Sequence, residues 1–136
     1  MARTSGELKH GEGLAALADL ARRRDASLRA ALVRMTAAAR EANEAVTACE
    51  RACEAQRRVW QDALSCGGVY GRREAASAPN VVEAQRAALG EARTRHSAAL
   101  AHAKQAADEV HQQHERLQAN ARKQEKLREL LTFYRR

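Results

Sequence analysis

This 136-residue sequence predicts an all-α fold, two long helices forming an antiparallel coiled-coil hairpin with a Gly-rich turn. Three observations carry that prediction. The hydrophobic fraction is 45% but the aromatic fraction only 3%, and most of the apolar residues are alanines. Trp60, Tyr70, Phe133 and Tyr134 are too few large side chains to fill a thick interior. Enrichment in Ala, Glu, Arg, Leu and Gln is the composition of long helices. Second, apolar residues recur at a spacing of 3.5 on both sides of the midpoint. Third, helix breakers cluster once inside the chain, as Gly67, Gly68 and Gly71 followed by Pro79, the only proline.

Residues 1–13 carry Gly6, Gly11 and Gly13 with mixed charges and no periodicity, and read as a flexible leader. The first coiled-coil helix is placed at 14–65. One seam holds Leu14, Ala21, Leu28, Met35, Ala42, Cys49, Gln56 and Ala63. Positions three and four further on supply Leu17, Leu32, Val46, Val59 and Trp60 among alanines. A stripe of that period sustained for about seven heptads is a coiled-coil signature.

The turn is placed at 66–79 and the second helix at 80–134, all within a single domain. Asn80-Val-Val-Glu83 matches a capping box directly after Pro79. The second seam holds Val82, Leu89, His96, Ala103, Val110, Leu117, Gln124 and Leu131, flanked by Ala92, Ala99, Ala106, Leu127, Leu130 and Tyr134. Each helix would run roughly 75–80 Å at about 1.5 Å per residue. Folding between residues 72 and 73 pairs Leu14 with Leu131, Ala21 with Gln124, Leu28 with Leu117 and Met35 with Val110. It also pairs Ala42 with Ala103, Cys49 with His96, Gln56 with Leu89 and Ala63 with Val82.

Formal net charge is +7 and the isoelectric point near 10.0, which points to acidic partners. The charge is not spread evenly. Arg22, Arg23, Arg24, Arg29 and Arg34 face only Asp25 in their segment, and Arg122, Lys123, Lys126 and Arg128 lie close to the other terminus. The hairpin register brings both segments to its open end.

Several classes of function find no support. No apolar run reaches the ~18 residues of a membrane span. The first residues lack the apolar centre of a secretory signal. Three cysteines form no framework spacing and predict a reducing, cytoplasmic setting. Cys49 and Cys53 stand four apart with His96 opposite Cys49, but no fourth ligand is evident, so they read as small seam residues rather than a zinc site. His111 and His114 precede Glu115 in an order that matches no metalloprotease motif. Gly67-Gly68-Val69-Tyr70-Gly71 lacks the lysine and hydroxyl residue of a phosphate loop. No nucleophile–base pair suggests itself, and a two-helix hairpin encloses no water-excluding pocket, so no enzyme and no cofactor are predicted. Aromatic platforms for stacking nucleic-acid bases are absent.

At Leu14-Ala-Ala-Leu17-Ala-Asp-Leu20-Ala-Arg22, Trp60 ahead of the break, and Gln124-Glu-Lys-Leu127-Arg-Glu-Leu130-Leu131, the chain resembles the FliJ/YscO family. These are central stalk proteins of type III secretion and flagellar export systems, and the Hrp branch of plant pathogens is nearest in its Ala/Arg-rich character. The resemblance covers residues 14–134. It implies a non-catalytic stalk whose paired termini enter a hexameric export ATPase and whose turn points to the export gate at the inner membrane. Some relatives also handle secretion chaperones. On that analogy Arg22, Arg23, Arg24, Arg29, Arg34, Arg122, Lys123, Lys126 and Arg128 meet the ATPase, and Tyr70, Arg72 and Arg73 meet the gate. The alternative is a general coiled-coil adaptor, or a nucleic-acid-associated protein using the basic end. Outer alanines would also let two hairpins pair into a four-helix bundle.

Overall fold

Alanine, glutamate, arginine and glutamine are strong helix formers, and they dominate both halves of this chain. The computed structural model describes residues 5–66 and 72–135, with side chains described for 5–66 and 80–135. Within those residues the fold is all-α. Helix α1 runs Ser5–Ser65 and α2 runs Arg72–Arg135, packed against each other as a helical hairpin. Among the described residues no helix is long and apolar enough to cross a membrane. The glycines at 67, 68 and 71, and the turn geometry predicted for them, lie outside the described residues.

Both helices start earlier than their periodicity suggests. Helix α1 begins at Ser5 rather than Leu14, so most of the predicted leader is helical. Three glycines there cost about 1 kcal/mol each relative to alanine. The last turns of α2 offset part of that cost. The His10 and Tyr134 rings stack with centroids 6.4 Å apart, and Phe133 meets Tyr134 edge-on at 5.6 Å. Glu7 in the first turn of α1 and Arg135 in the last turn of α2 also oppose the helix dipoles favourably.

Helix α2 begins at Arg72 rather than Asn80. Arg72-Arg-Glu-Ala-Ala76 are good helix formers, and Pro79 removes a single N–H from a helix already under way. Asn80 is therefore an internal residue and the expected capping box does not form. Glu83 instead turns forward and accepts from Arg86 Nε and Nη2 at 2.9 and 2.7 Å.

The chain divides into two compact units, Met1–Ala37 with Ala107–Arg136, and Ala38–Ala106. In each, burial follows the predicted seams with one refinement. On α1 the seam is completed by positions four further on, namely Ala18, Asp25, Leu32, Ala39, Val46, Cys53 and Trp60, all partly buried. On α2 it is completed by positions three further on, including Gln85, Ala92, Ala106, Gln113, Asn120, Leu127 and Tyr134. Leu17 and Val59 on α1, and Leu130 on α2, are exposed, because a single partner helix covers only a narrow stripe.

The two units are held differently. In the first, the most deeply buried residues are Ala21 at 8%, Gln113 at 2% and Asn120 at 4% exposure. Asn120 Nδ2 donates to the Ala21 carbonyl, and Gln113 Nε2 to the Leu28 carbonyl, both at 2.9 Å. In the second unit the buried set is Ala42, Leu89, Ala92 and Ala106. There Gln56 Nε2 donates across the pair to Gln85 Oε1 at 2.6 Å and to the Gln85 carbonyl at 3.3 Å. Every one of these bonds falls one turn from the predicted pairs Ala21–Gln124, Leu28–Leu117 and Gln56–Leu89. A seam residue thus addresses the space between two residues of the facing helix, as knobs-into-holes packing requires.

Candidate docking surface

The first unit carries the chain's concentration of exposed chemistry. It brings together residues 22–34 of α1 and 122–128 of α2, so the basic segments that the sequence placed at one end do share one unit. Arg22, Arg23, Arg24, Arg29, Arg34, Arg122, Lys123, Lys126 and Arg128 are all exposed. Their side chains have different employment. Arg22 pairs with Asp19 one turn back, and Arg29 Nε donates to Asp25 Oδ2 at 2.7 Å. Asp25 occupies a seam position with its side chain 20% exposed, so Arg29 supplies the charge partner that its partial burial requires. Such exposed pairs steady the helix surface by a few tenths of a kcal/mol at most.

Two of the grooves in this unit run beside its seam. One is lined by Ala15, Ala18, Asp19, Arg22, Gln124, Arg128, Leu131 and Arg135, and the Asp19–Arg22 pair gives it a polar wall. The other, of ≈ 430 Å³, is lined by Leu14, Leu17, Leu20, Ala21, Arg24, Asn120, Lys123, Lys126, Leu127 and Leu130. Here five leucines meet three cations and no carboxylate. Leu17 is 51% exposed, Leu20 59% and Leu130 38%.

The local cause is the heptad itself. Leu17, Leu20 and Arg24 lie three, six and ten residues beyond the seam residue Leu14, on one side of its stripe, while Lys123, Leu127 and Leu130 form the matching row on α2. Among the described residues Arg24, Lys123 and Lys126 have no carboxylate partner, and all three are exposed beside the leucines.

The gate residues inferred from the family resemblance are placed differently. Tyr70 lies outside the described residues. Arg72 and Arg73 open α2, with side chains that are not described. Cys49 and Cys53 are half-buried thiols on the seam of the second unit. His96, expected opposite Cys49, lies with Nε2 3.6 Å from the neighbouring Glu50. Among the described residues no group of three or more His, Cys, Asp or Glu is arranged to hold a metal ion. Trp60 Nε1 and His96 Nε2 are buried without a hydrogen-bond partner among the described residues.

Sequence reasoning missed the two buried amides, Gln113 and Asn120, and the leucine groove. A visible signal existed for the amides, since they fall three residues beyond Val110 and Leu117, in the row that the flanking alanines define. The groove was hidden because Leu17 and Leu130 were counted with the seam. No family model matches the chain, and no curated protein or solved structure does.

Proposed function

We propose that this chain is a non-catalytic coiled-coil stalk of a type III protein secretion apparatus, linking a hexameric export ATPase to the export gate on the cytoplasmic side of the inner membrane. One observation carries the reading. The stretches on which the resemblance rests most, Leu14–Arg22 and Gln124–Leu131, are far apart in sequence yet line the same two grooves of one unit. The leucines left open there, and the cations beside them that have no carboxylate partner among the described residues, give the paired termini a surface suited to a protein partner. On this reading Arg22, Arg23, Arg24, Arg29, Arg34, Arg122, Lys123, Lys126 and Arg128 contact the ATPase, the segment around Arg72 and Arg73 approaches the gate, and secretion chaperones are further partners. The role is mechanical: binding on a ring ATPase changes its turnover without this chain contributing a catalytic group.

The test is co-purification with a ring ATPase encoded beside this gene, together with its ATP turnover. The intact chain should be retained and should alter turnover, whereas a chain ending at Ala121 should do neither. Intact protein that leaves turnover unchanged and fails to co-purify overturns the reading. The adaptor alternative, in which the basic end serves nucleic acid, predicts RNA or DNA binding that weakens steeply with salt and with loss of Arg122, Lys123 and Lys126.

A further inference from the structure

We propose that the leucine groove of the first unit receives an acidic amphipathic helix from a partner protein. The groove leaves three leucines uncovered. Leu17, Leu20 and Leu130 are each between 38% and 59% exposed around one cleft between two helices. Contiguous apolar surface bordered by polar groups marks an interaction site. Its shape narrows the occupant. Rows at helical spacing on two antiparallel helices leave a furrow parallel to their axes, and a third helix fills such a furrow with its own apolar ridge.

Charge narrows it further. Arg24, Lys123 and Lys126 rim the groove, no carboxylate lines it, and none of the three has a carboxylate partner among the described residues. A docked helix therefore meets positive charge on its flanks, and Glu or Asp beside its apolar ridge completes the match. A second copy of this surface brings like charges face to face. A bilayer engages a continuous apolar face rather than a cleft between two helices. The inference does not depend on the stalk reading, since it concerns the chemistry of the occupant whichever assembly supplies it.

The probe is a fluorescent synthetic peptide of about three heptads with Leu at a and d and Glu at e and g. Two controls replace its Glu by Lys, or its Leu by Ser. Binding to the full chain is read by anisotropy at physiological salt. The Glu–Leu peptide should bind at least about tenfold more tightly than either control. Leu17→Ser combined with Leu20→Ser should weaken it about tenfold. Lys123→Glu with Lys126→Glu, which alters only exposed side chains, should reverse the preference between the Glu and Lys peptides and so decides the matter if the leucine variant loses helicity. Equal binding of the Glu and Lys peptides, or no binding, overturns the proposal. So does saturable binding to phosphatidylserine vesicles that the Glu–Leu peptide does not displace. Dimerisation abolished by Leu17→Ser would assign the groove to a second copy instead. Peptide binding without co-purification of a ring ATPase would remove the stalk reading and leave this one standing, and the converse result would do the opposite.

Discussion

Leu89 offers a direct measure of how much a two-helix unit gains from one buried side chain. It is 3% exposed, the only large apolar residue so deeply covered among the described residues of its unit, and the others in the buried set are alanines. Leu89→Ala removes an isobutyl group in favour of a methyl, a loss of about 2–2.5 kcal/mol at ~0.8 kcal/mol per buried methylene. The cavity left behind adds to that, and large-to-alanine changes in cores reach about 2–5 kcal/mol. Helices that can close on the gap hold the cost near the lower end, so we expect about 2–3 kcal/mol. Leu100 in the same unit is 47% exposed, and Leu100→Ala should cost roughly half the transfer term, about 1 kcal/mol. Urea unfolding followed by helical circular dichroism measures both, and the midpoints should separate with the slope unchanged. Equal costs for the two variants, or a larger one for Leu100, would show that the helices do not meet along the seam described.

Other expectations follow from individual positions. Gly90 lies within α2, is exposed, and a Cβ there would meet nothing within 4 Å. Gly90→Ala should therefore stabilise the chain by about 0.5–1 kcal/mol, read as a rise in Tm. Asn120→Ala removes a bond to the Ala21 carbonyl, costing about 1 kcal/mol less the gain in helix propensity. Asn120→Leu should preserve stability but admit other registers or oligomers, visible as mixed species in sedimentation. The Glu83 carboxyl is held below its ordinary value first by its hydrogen bond from Arg86 and then by that guanidinium's charge. A lowered folded-state value means that its contribution is present above the ordinary carboxylate value and is lost as pH falls through the folded one. Carbon-detected NMR titration should place Glu83 below the ordinary glutamate value, and Arg86→Ala should abolish that depression.

Much of the fold is legible in the residue pattern. Leu14, Ala21, Leu28 and Ala42 on one side, with Leu89, Val110, Leu117 and Leu131 on the other, all stand on covered stripes. Period and composition suffice there because a helix with one partner must bury whatever recurs every half-heptad. The ends were less legible. Gly6, Gly11 and Gly13 argue locally against a helix, yet the segment is helical and His10 in it stacks on Tyr134 from the far end of the chain. Arg72-Arg-Glu-Ala-Ala76 argue for a helix, and Pro79 does not prevent it.

The candidate site divides in the same way. That Arg22–Arg34 and Arg122–Arg128 are basic, and would fall together in an antiparallel pair, is a matter of charge and register. Which cations are already engaged is not, since Arg29 pairs with Asp25 while Lys123 and Lys126 have no carboxylate partner among the described residues. By itself the sequence determined the class of fold, the antiparallel order of the seams and the basic character of one unit, because these depend on periodicity and composition alone. It takes the packed pair of helices to show that Leu17, Leu20 and Leu130 stand open beside Arg24 while Gln113 and Asn120 are buried and bonded across the pair. Those outcomes turn on which flank of each helix the partner covers, a rotation of a fraction of a turn that a heptad pattern leaves open.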